Sequence, residues 1–143
     1  AAAGVGVGVG GGILKRTGYQ PPVRARPRVK AIVFSQFWMH LQLISRYLKQ
    51  HRVECELLSS GVDKGEREAV VNRFRADPDV GVLLMDELGA VGLDLSFVSY
   101  VFLAEPISDR SLQEQIVSRA HRMGATAPVH VELLAMRHTV EEE

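Results

Sequence analysis

A chain of 143 residues with 46% hydrophobic and 24% charged content is one domain's worth, large enough to bury a real core. No apolar run approaches the ~18 residues of a membrane span. A single cysteine, Cys55, excludes an internal disulfide and a Cys-based zinc site, and fits a reducing compartment. The formal charge of zero conceals an asymmetry: residues 1–30 hold six basic residues and no acidic one, and the remainder holds 11 basic and 17 acidic. The folded part is therefore acidic, and only the tail offers a generic attraction for a polyanion.

The chain opens A-A-A-G-V-G-V-G-V-G-G-G. No strand precedes this run, no G-K-[ST] occurs anywhere and no helix obviously follows, which excludes a phosphate loop or dinucleotide fingerprint. It also lacks the charged start and solid apolar centre of a signal peptide. With Pro21, Pro22 and Pro27 interleaved with arginines, residues 1–28 read as a flexible, then extended, basic linker, and the domain as residues 29–143. The chain begins with Ala1 and stops in an acidic run, so it is expected to be a fragment truncated at its C-terminus.

Val29 to Ser35 predicts a strand buried on both faces. From Phe37, apolar residues recur at Leu41, Ile44 and Leu48, an amphipathic helix ending near His51. Val53 to Leu58 alternates as a second strand, in which Cys55 reads as a buried residue rather than a nucleophile. Asp63 caps the next helix with Glu66 as its capping-box partner; Val70, Val71 and Phe74 turn inward and Pro78 stops it.

Val80 to Met85 is another buried strand, followed by Asp86-Glu87. Four apolar residues and then D-E look like a magnesium-binding carboxylate pair, but that arrangement needs an upstream phosphate loop, and no metal site is predicted. Gly89 and Gly92 suit a tight loop where backbone approaches a ligand closely. Asp94 either accepts a hydrogen bond from a ligand hydroxyl or an arginine, or serves as a loop or cap carboxylate. Val98 to Ala104 is a further strand, and Ser108 or Asp109 begins a helix through S-L-Q-E-Q-I-V-S-R-A-H-R-M-G (Ser111 to Gly124). On that helix Gln115, Arg119 and Arg122 fall within about 60° of one another, opposite an apolar arc of Ile116, Val117, Ala120 and Met123. Stacked guanidiniums at successive turns suit a polyphosphate, although the helix taken alone is more simply read as a solvated face with two ordinary arginines. Val129 to Leu134 supplies the last strand, and Thr139 starts a last helix.

Strands alternating with helices predict a parallel, three-layer α/β sheet. Ligands of such sheets lie beyond the carboxyl ends of the strands. Ser35-Gln36, Asp86 to Asp94 and the loop after Glu105 are all expected there, with the arginine helix following.

The pattern Q-x-x-x-R-x-H-R-x-G, about twenty residues after G-x-x-G-L-D-L, resembles the last two motifs of superfamily-two helicases of the Swi/Snf type. I-V-F-S-Q-F (Ile32 to Phe37), the spacing Gly61, Arg67, Phe74, and V-E-E (Val140 to Glu142) extend the resemblance from about Lys30 to the end. The wording L-D-L-S-F-V and S-R-A-H-R-M-G-A is similar to plant F-box proteins with a Swi/Snf-type helicase region. The resemblance implies the second, C-terminal RecA-like lobe of a nuclear ATPase of DNA repair or chromatin remodelling. Its substrate would be ATP with Mg²⁺, the magnesium and phosphate loop belonging to a first lobe that this chain lacks, so the fragment alone is expected to be inactive. Its partners would be that first lobe, double-stranded DNA or chromatin, and ubiquitin-ligase components.

By the same resemblance Arg122 is the principal arginine finger, Arg119 a second phosphate contact and Gln115 an orienting hydrogen-bonder. Gly89, Gly92 and Asp94 would couple nucleotide to DNA, and Ser35, Gln36 and Arg67 would contact nucleic acid weakly. His121 is expected to be structural. The chain departs from the family where Met85-Asp86 and Glu87 replace a hydroxyl and a lysine, and where Ile107-Ser108-Asp109 replaces Trp-Asn-Pro. These changes weaken DNA contacts more than nucleotide sensing. Two other readings stay open: a degenerate lobe kept as a scaffold in a ubiquitin-ligase-type protein, and a free-standing nucleotide-binding domain of another type.

Overall fold

The structure, a computed structural model, describes residues 29–87, 92–121 and 127–142. Its elements run β1 (Ala31–Phe34), α1 (Trp38–Gln50), β2 (Glu54–Leu58), α2 (Lys64–Ala76), β3 (Val80–Met85), β4 (Tyr100–Leu103), α3 (Arg110–Ala120), β5 (His130–Leu133) and a 3-10 turn (Val140–Glu142). The predicted linker, residues 1–28, lies outside the described residues.

The strands form one parallel sheet in the order β2-β3-β1-β4-β5. Side chains alternate across a strand, so each strand feeds two cores. Ile32, Phe34, Leu58, Leu83, Met85, Val101 and Leu103 share one cluster with Val70, Val71 and Phe74 of α2 and Leu112, Ile116 and Ala120 of α3. Leu84, wholly buried, points to the other face, as does Leu41 of α1. The result is three layers: α1 on one face of the sheet, α2 and α3 on the other. Each fully buried Leu, Ile or Phe contributes about 1.5–3 kcal/mol, which makes the α2–α3 face the main source of stability.

Local chemistry explains the boundaries. Asp63 caps α2 by accepting from Gly65 N at 3.2 Å, and Asp109 caps α3 by accepting from Ser111 N at 2.9 Å and Leu112 N at 3.3 Å. Lys30 is buried just before β1 and its ammonium donates to the carbonyls of Asp77 and Val80, tying the α2–β3 turn to the central strand. Thr139 Oγ1 accepts from Glu141 N at 3.2 Å, beginning a 3-10 turn where a helix was expected.

Three further expectations need correction. Strand β1 is not buried on both faces throughout, since Ala31 and Val33 are only partly covered and Val29 is exposed. Cys55 is half-buried, with Sγ 3.5 Å from Ser45 Oγ, because β2 is an edge strand. β5, the other edge, is exposed along its whole length. Helix α3 ends at Ala120, with His121 as its C-cap and the His121 N–H on Val117 O, rather than running to Gly124.

Candidate functional site

Strand order reverses around β1: the chain leaves it towards β2 and β3, then passes to β4 on its other side. At the carboxyl end of this switch point four groups meet. Glu105, buried just beyond β4, accepts from Gln36 N at 2.6 Å through Oε1. Its Oε2 lies 3.2 Å from His40 Nδ1, and that nitrogen lies 3.3 Å from Ser35 Oγ. Ser35 Oγ also accepts from Phe37 N at 3.1 Å. Serine, histidine and glutamate here are not a nucleophilic triad, because both partners approach the same ring nitrogen and Ser35 is fully buried. They fasten the start of α1 to the end of β4 across the switch point. Neither His40 nor Glu105 stands out in a single sequence, since they are 65 residues apart and meet only in the fold.

Next to this cluster, Asp86 follows β3 and accepts from Ser60 N at 3.0 Å, closing the β2–α2 loop. Arg67 turns onto the same loop, donating from Nε to Val62 O at 2.7 Å and from Nη2 to Ser60 O at 3.4 Å. Ser35 and Arg67, both predicted as weak nucleic-acid contacts, are therefore committed to internal hydrogen bonds. Gln36 keeps an exposed side chain.

The G-x-x-G-L-D-L segment lies elsewhere. Helices of a parallel sheet run back from carboxyl to amino ends, so the last turn of α2 sits at the amino end. Arg75, in that turn, donates from Nη2 to Asp94 O at 3.2 Å and stacks its guanidinium 4.7 Å from the Phe97 ring centroid. Ser99 N bonds Lys30 O at 2.9 Å, just before β4 and β1 begin. Leu95 N donates to Arg119 O at 3.2 Å, at the far end of α3. Gly92, Asp94 and Arg119 thus gather at the amino end of the sheet, opposite Ser35, Gln36 and Glu105. The expectation that Asp94 lies at the carboxyl ends is wrong, because the chain crosses the full height of the sheet between Asp86 and Ser99.

At this amino end Gly92 has φ +78°, a left-handed conformation that a side chain would strain. Leu93 and Leu95 are buried and anchor the loop, while Asp94 between them is exposed and accepts from Ser96 N at 3.2 Å. Gly92 and Asp94 face Glu68, Asn72 and Arg75 of α2 across a hollow of about 250 Å³. On α3, Leu112, Ile116 and Ala120 are buried, Val117 is partly covered, and Gln115 is exposed. Arg119 is half-buried rather than exposed. Its Nε is enclosed without a hydrogen-bond partner, and its guanidinium forms no ion pair with any described residue. Arg122, Gly89, Met123 and Gly124 lie outside the described residues. Among the described residues no group of three or more His, Cys, Asp or Glu could hold a metal ion. No helix among them is long and apolar enough to cross a membrane.

A five-stranded parallel sheet with helices on both faces and an arginine-bearing helix after its fourth strand defines a RecA-like lobe. The family described as helicase conserved C-terminal domain matches residues 18–124, and the chain belongs to it. An F-box protein of Arabidopsis thaliana is 46% identical over 114 residues, covering 80% of this chain and 8% of that protein. The DNA repair protein rad8 of Schizosaccharomyces pombe is 34% identical over 114 residues, 79% of this chain and 10% of that one. The C-terminal part of the Fun30 ATPase domain superposes with a TM-score of 0.75 at 22% identity, covering 80% of this chain and 37% of that chain. The chain is thus a helicase C-terminal domain of the Swi/Snf type, and it spans only about a tenth of the length of the curated relatives it matches.

Proposed function

We propose that this lobe completes a nucleotide site on a first RecA-like lobe, presenting arginines from its amino end to the phosphates of ATP held there with Mg²⁺. The observation that carries the reading is Arg119: a half-buried guanidinium with no internal ion pair among the described residues, backbone-bonded to the loop that bears Gly92 and Asp94. A phosphate oxygen offered from outside would meet the terminal Nη nitrogens of that guanidinium, since the enclosed Nε is closed to solvent. Arg122, two residues past the helix end, would be the main finger; Gln115, one turn earlier, would orient the ligand. Asp94, exposed on a loop pinned by Leu93 and Leu95, would accept from a ribose hydroxyl. ATP supplies the transferable phosphoryl group; these residues place fixed positive charge where negative charge develops.

Double-stranded DNA or chromatin would lie at the other, carboxyl end, where Gln36 is exposed. A nuclear protein of DNA repair or chromatin remodelling is the parent that this reading implies. With Ser35 and Arg67 turned inward and Asp86-Glu87 placed there, that end offers little attraction to phosphate. The same feature, with the likeness to an F-box protein, favours a second reading: a lobe retained as a scaffold in a ubiquitin-ligase-type protein.

The test is ATP turnover. The isolated chain should show none, having no phosphate loop in its sequence. In a parent with a competent first lobe, Arg122→Ala should lower kcat by roughly 10³-fold or more with nucleotide affinity nearly unchanged. Arg122→Lys should rescue little, for want of the planar fork. Near-normal turnover in the Arg122→Ala parent would leave the scaffold reading standing.

A further inference from the structure

Helix α1 carries a feature that nucleotide binding does not use. It buries Leu41 and Ser45 against the sheet, yet a second apolar row faces outward: Met39 is 68% exposed, Leu43 61% and Tyr47 61%. The large apolar side chains exposed on helices among the described residues all belong to α1; α2 and α3 turn polar faces to solvent. Beside that row, about a quarter turn away at ~100° per residue, runs a polar and cationic one: Gln42, Arg46 and Lys49. These three line a hollow of about 510 Å³ between α1 and the edge strand β2. Neither Arg46 nor Lys49 forms an ion pair with a described residue.

The charge here runs against the rest of the domain. Residues 29–53 contain four Lys or Arg and no Asp or Glu, whereas residues 31–143 hold 11 basic and 17 acidic. An outward apolar row rimmed on one side by unpaired cations is complementary to a particular ligand shape.

We infer that the outer face of α1 docks an acidic amphipathic helix from a partner protein. Its apolar side chains would cover the Met39–Leu43–Tyr47 row and its carboxylates would reach Arg46 and Lys49 over the β2 edge. A nucleic-acid strand fits the row less well: Met39 and Leu43 are aliphatic and offer a base no stacking surface, and the exposed aromatics Phe37 and Trp38 sit at the start of α1, off the row. The face lies on the opposite side of the sheet from α2 and α3. Docking therefore leaves Arg119 and the Gly92–Leu95 loop accessible.

The experiment is selection from a displayed library of amphipathic helical peptides on the intact chain, with the Leu43→Glu/Tyr47→Glu variant as counter-target. Both residues are exposed, so this variant should melt like the parent chain. Peptides that prefer the unaltered chain should carry an excess of Asp and Glu on one flank of an apolar stripe. Arg46→Glu/Lys49→Glu should weaken a synthesised winner by about tenfold or more, by an amount that shrinks as salt rises. Failure to enrich any peptide over the counter-target would overturn the inference, as would winners with no acidic excess. Binding of an oligothymidylate that the Leu43→Glu/Tyr47→Glu change abolishes would also overturn it, reassigning the face to single-stranded nucleic acid.

Discussion

Arg119 gives a prediction in which stability and activity should move in opposite directions. The residue lies half-buried in the last turn of α3, and its Nε is enclosed with no acceptor. A buried donor left unsatisfied costs roughly 1–3 kcal/mol, so the wild-type chain carries a penalty at this position that an apolar side chain would remove. Arg119→Met keeps most of the stem and deletes the orphaned donor. The isolated chain should then be as stable as wild type or more so, by up to about 1 kcal/mol, a shift of roughly 4 °C in Tm for a domain of this size. Arg119→Ala also removes the stem and should cost about 1 kcal/mol relative to Met. In the full-length parent both variants should lose turnover together, by roughly 10²- to 10³-fold, because neither places a cation at the nucleotide. Melting curves of the chain beside steady-state ATP turnover of the parent decide the matter. If Met destabilises the chain by several degrees, the guanidinium is structural. If Met leaves turnover intact, Arg119 does not face the nucleotide.

At the carboxyl end, Glu105→Ala strips the acceptor from Gln36 N and frees the start of α1; urea unfolding should register a loss of about 2 kcal/mol, and less for Glu105→Gln. Gly92→Ala meets no neighbouring atom within 4 Å, yet must hold φ +78°, so it should cost roughly 1–2 kcal/mol in the same assay; a neutral result would mean the loop relaxes freely. The hydrogen bond and charge of Glu56 hold the Arg73 pKa above its ordinary value. A raised base contributes stability that is present below its unfolded pKa and lost only as pH climbs through the folded one, far into alkali. Thermal melts of wild type and Arg73→Ala should therefore run parallel between about pH 6 and 9, and a gap widening within that window would refute the assignment. Residues 1–28 carry five cations and no acid, so any DNA binding by the chain should be weak, steeply salt-dependent and lost on their deletion; anisotropy that survives truncation would locate it on the domain instead.

Much of the fold was legible because its signals are local. Asp63 and Asp109 announce helix starts through short-range hydrogen bonds, Pro78 forces a stop, and the run Val80 to Met85 has the composition of a buried parallel strand. What escaped was set by distant partners. Edge position decided that Cys55 would be only half-buried and β5 exposed, and edge position depends on strand order rather than on any one strand's residues. Arg67 and Ser35 looked available because a sequence does not reveal which backbone groups will claim a side chain. Asp94 was misplaced because carboxyl-end logic applies to residues that directly follow a strand, and eight residues separate Asp94 from the end of β3.

The separation of the two ends bears on how this lobe could link nucleotide to DNA. If Asp94 and Ser35 shared one rim, a single ligand could touch both, and no mechanical link would be needed. They do not, so any coupling must cross the sheet's height. Helix α3 is the element that spans it: Asp109 caps its start beside the carboxyl-end cluster, and the Arg119 carbonyl at its other end holds Leu95. Eleven residues at ~1.5 Å each make a rod of about 16 Å. Leu112, Ile116 and Ala120 seat it in the main core, so it can shift only as a body with α2 and the sheet. Whatever moves the arginine end must therefore displace the whole lobe rather than bend a loop within it. Under the proposed function that property matters, since a rigid second lobe would turn closure around nucleotide at one end into displacement of whatever is bound at the other.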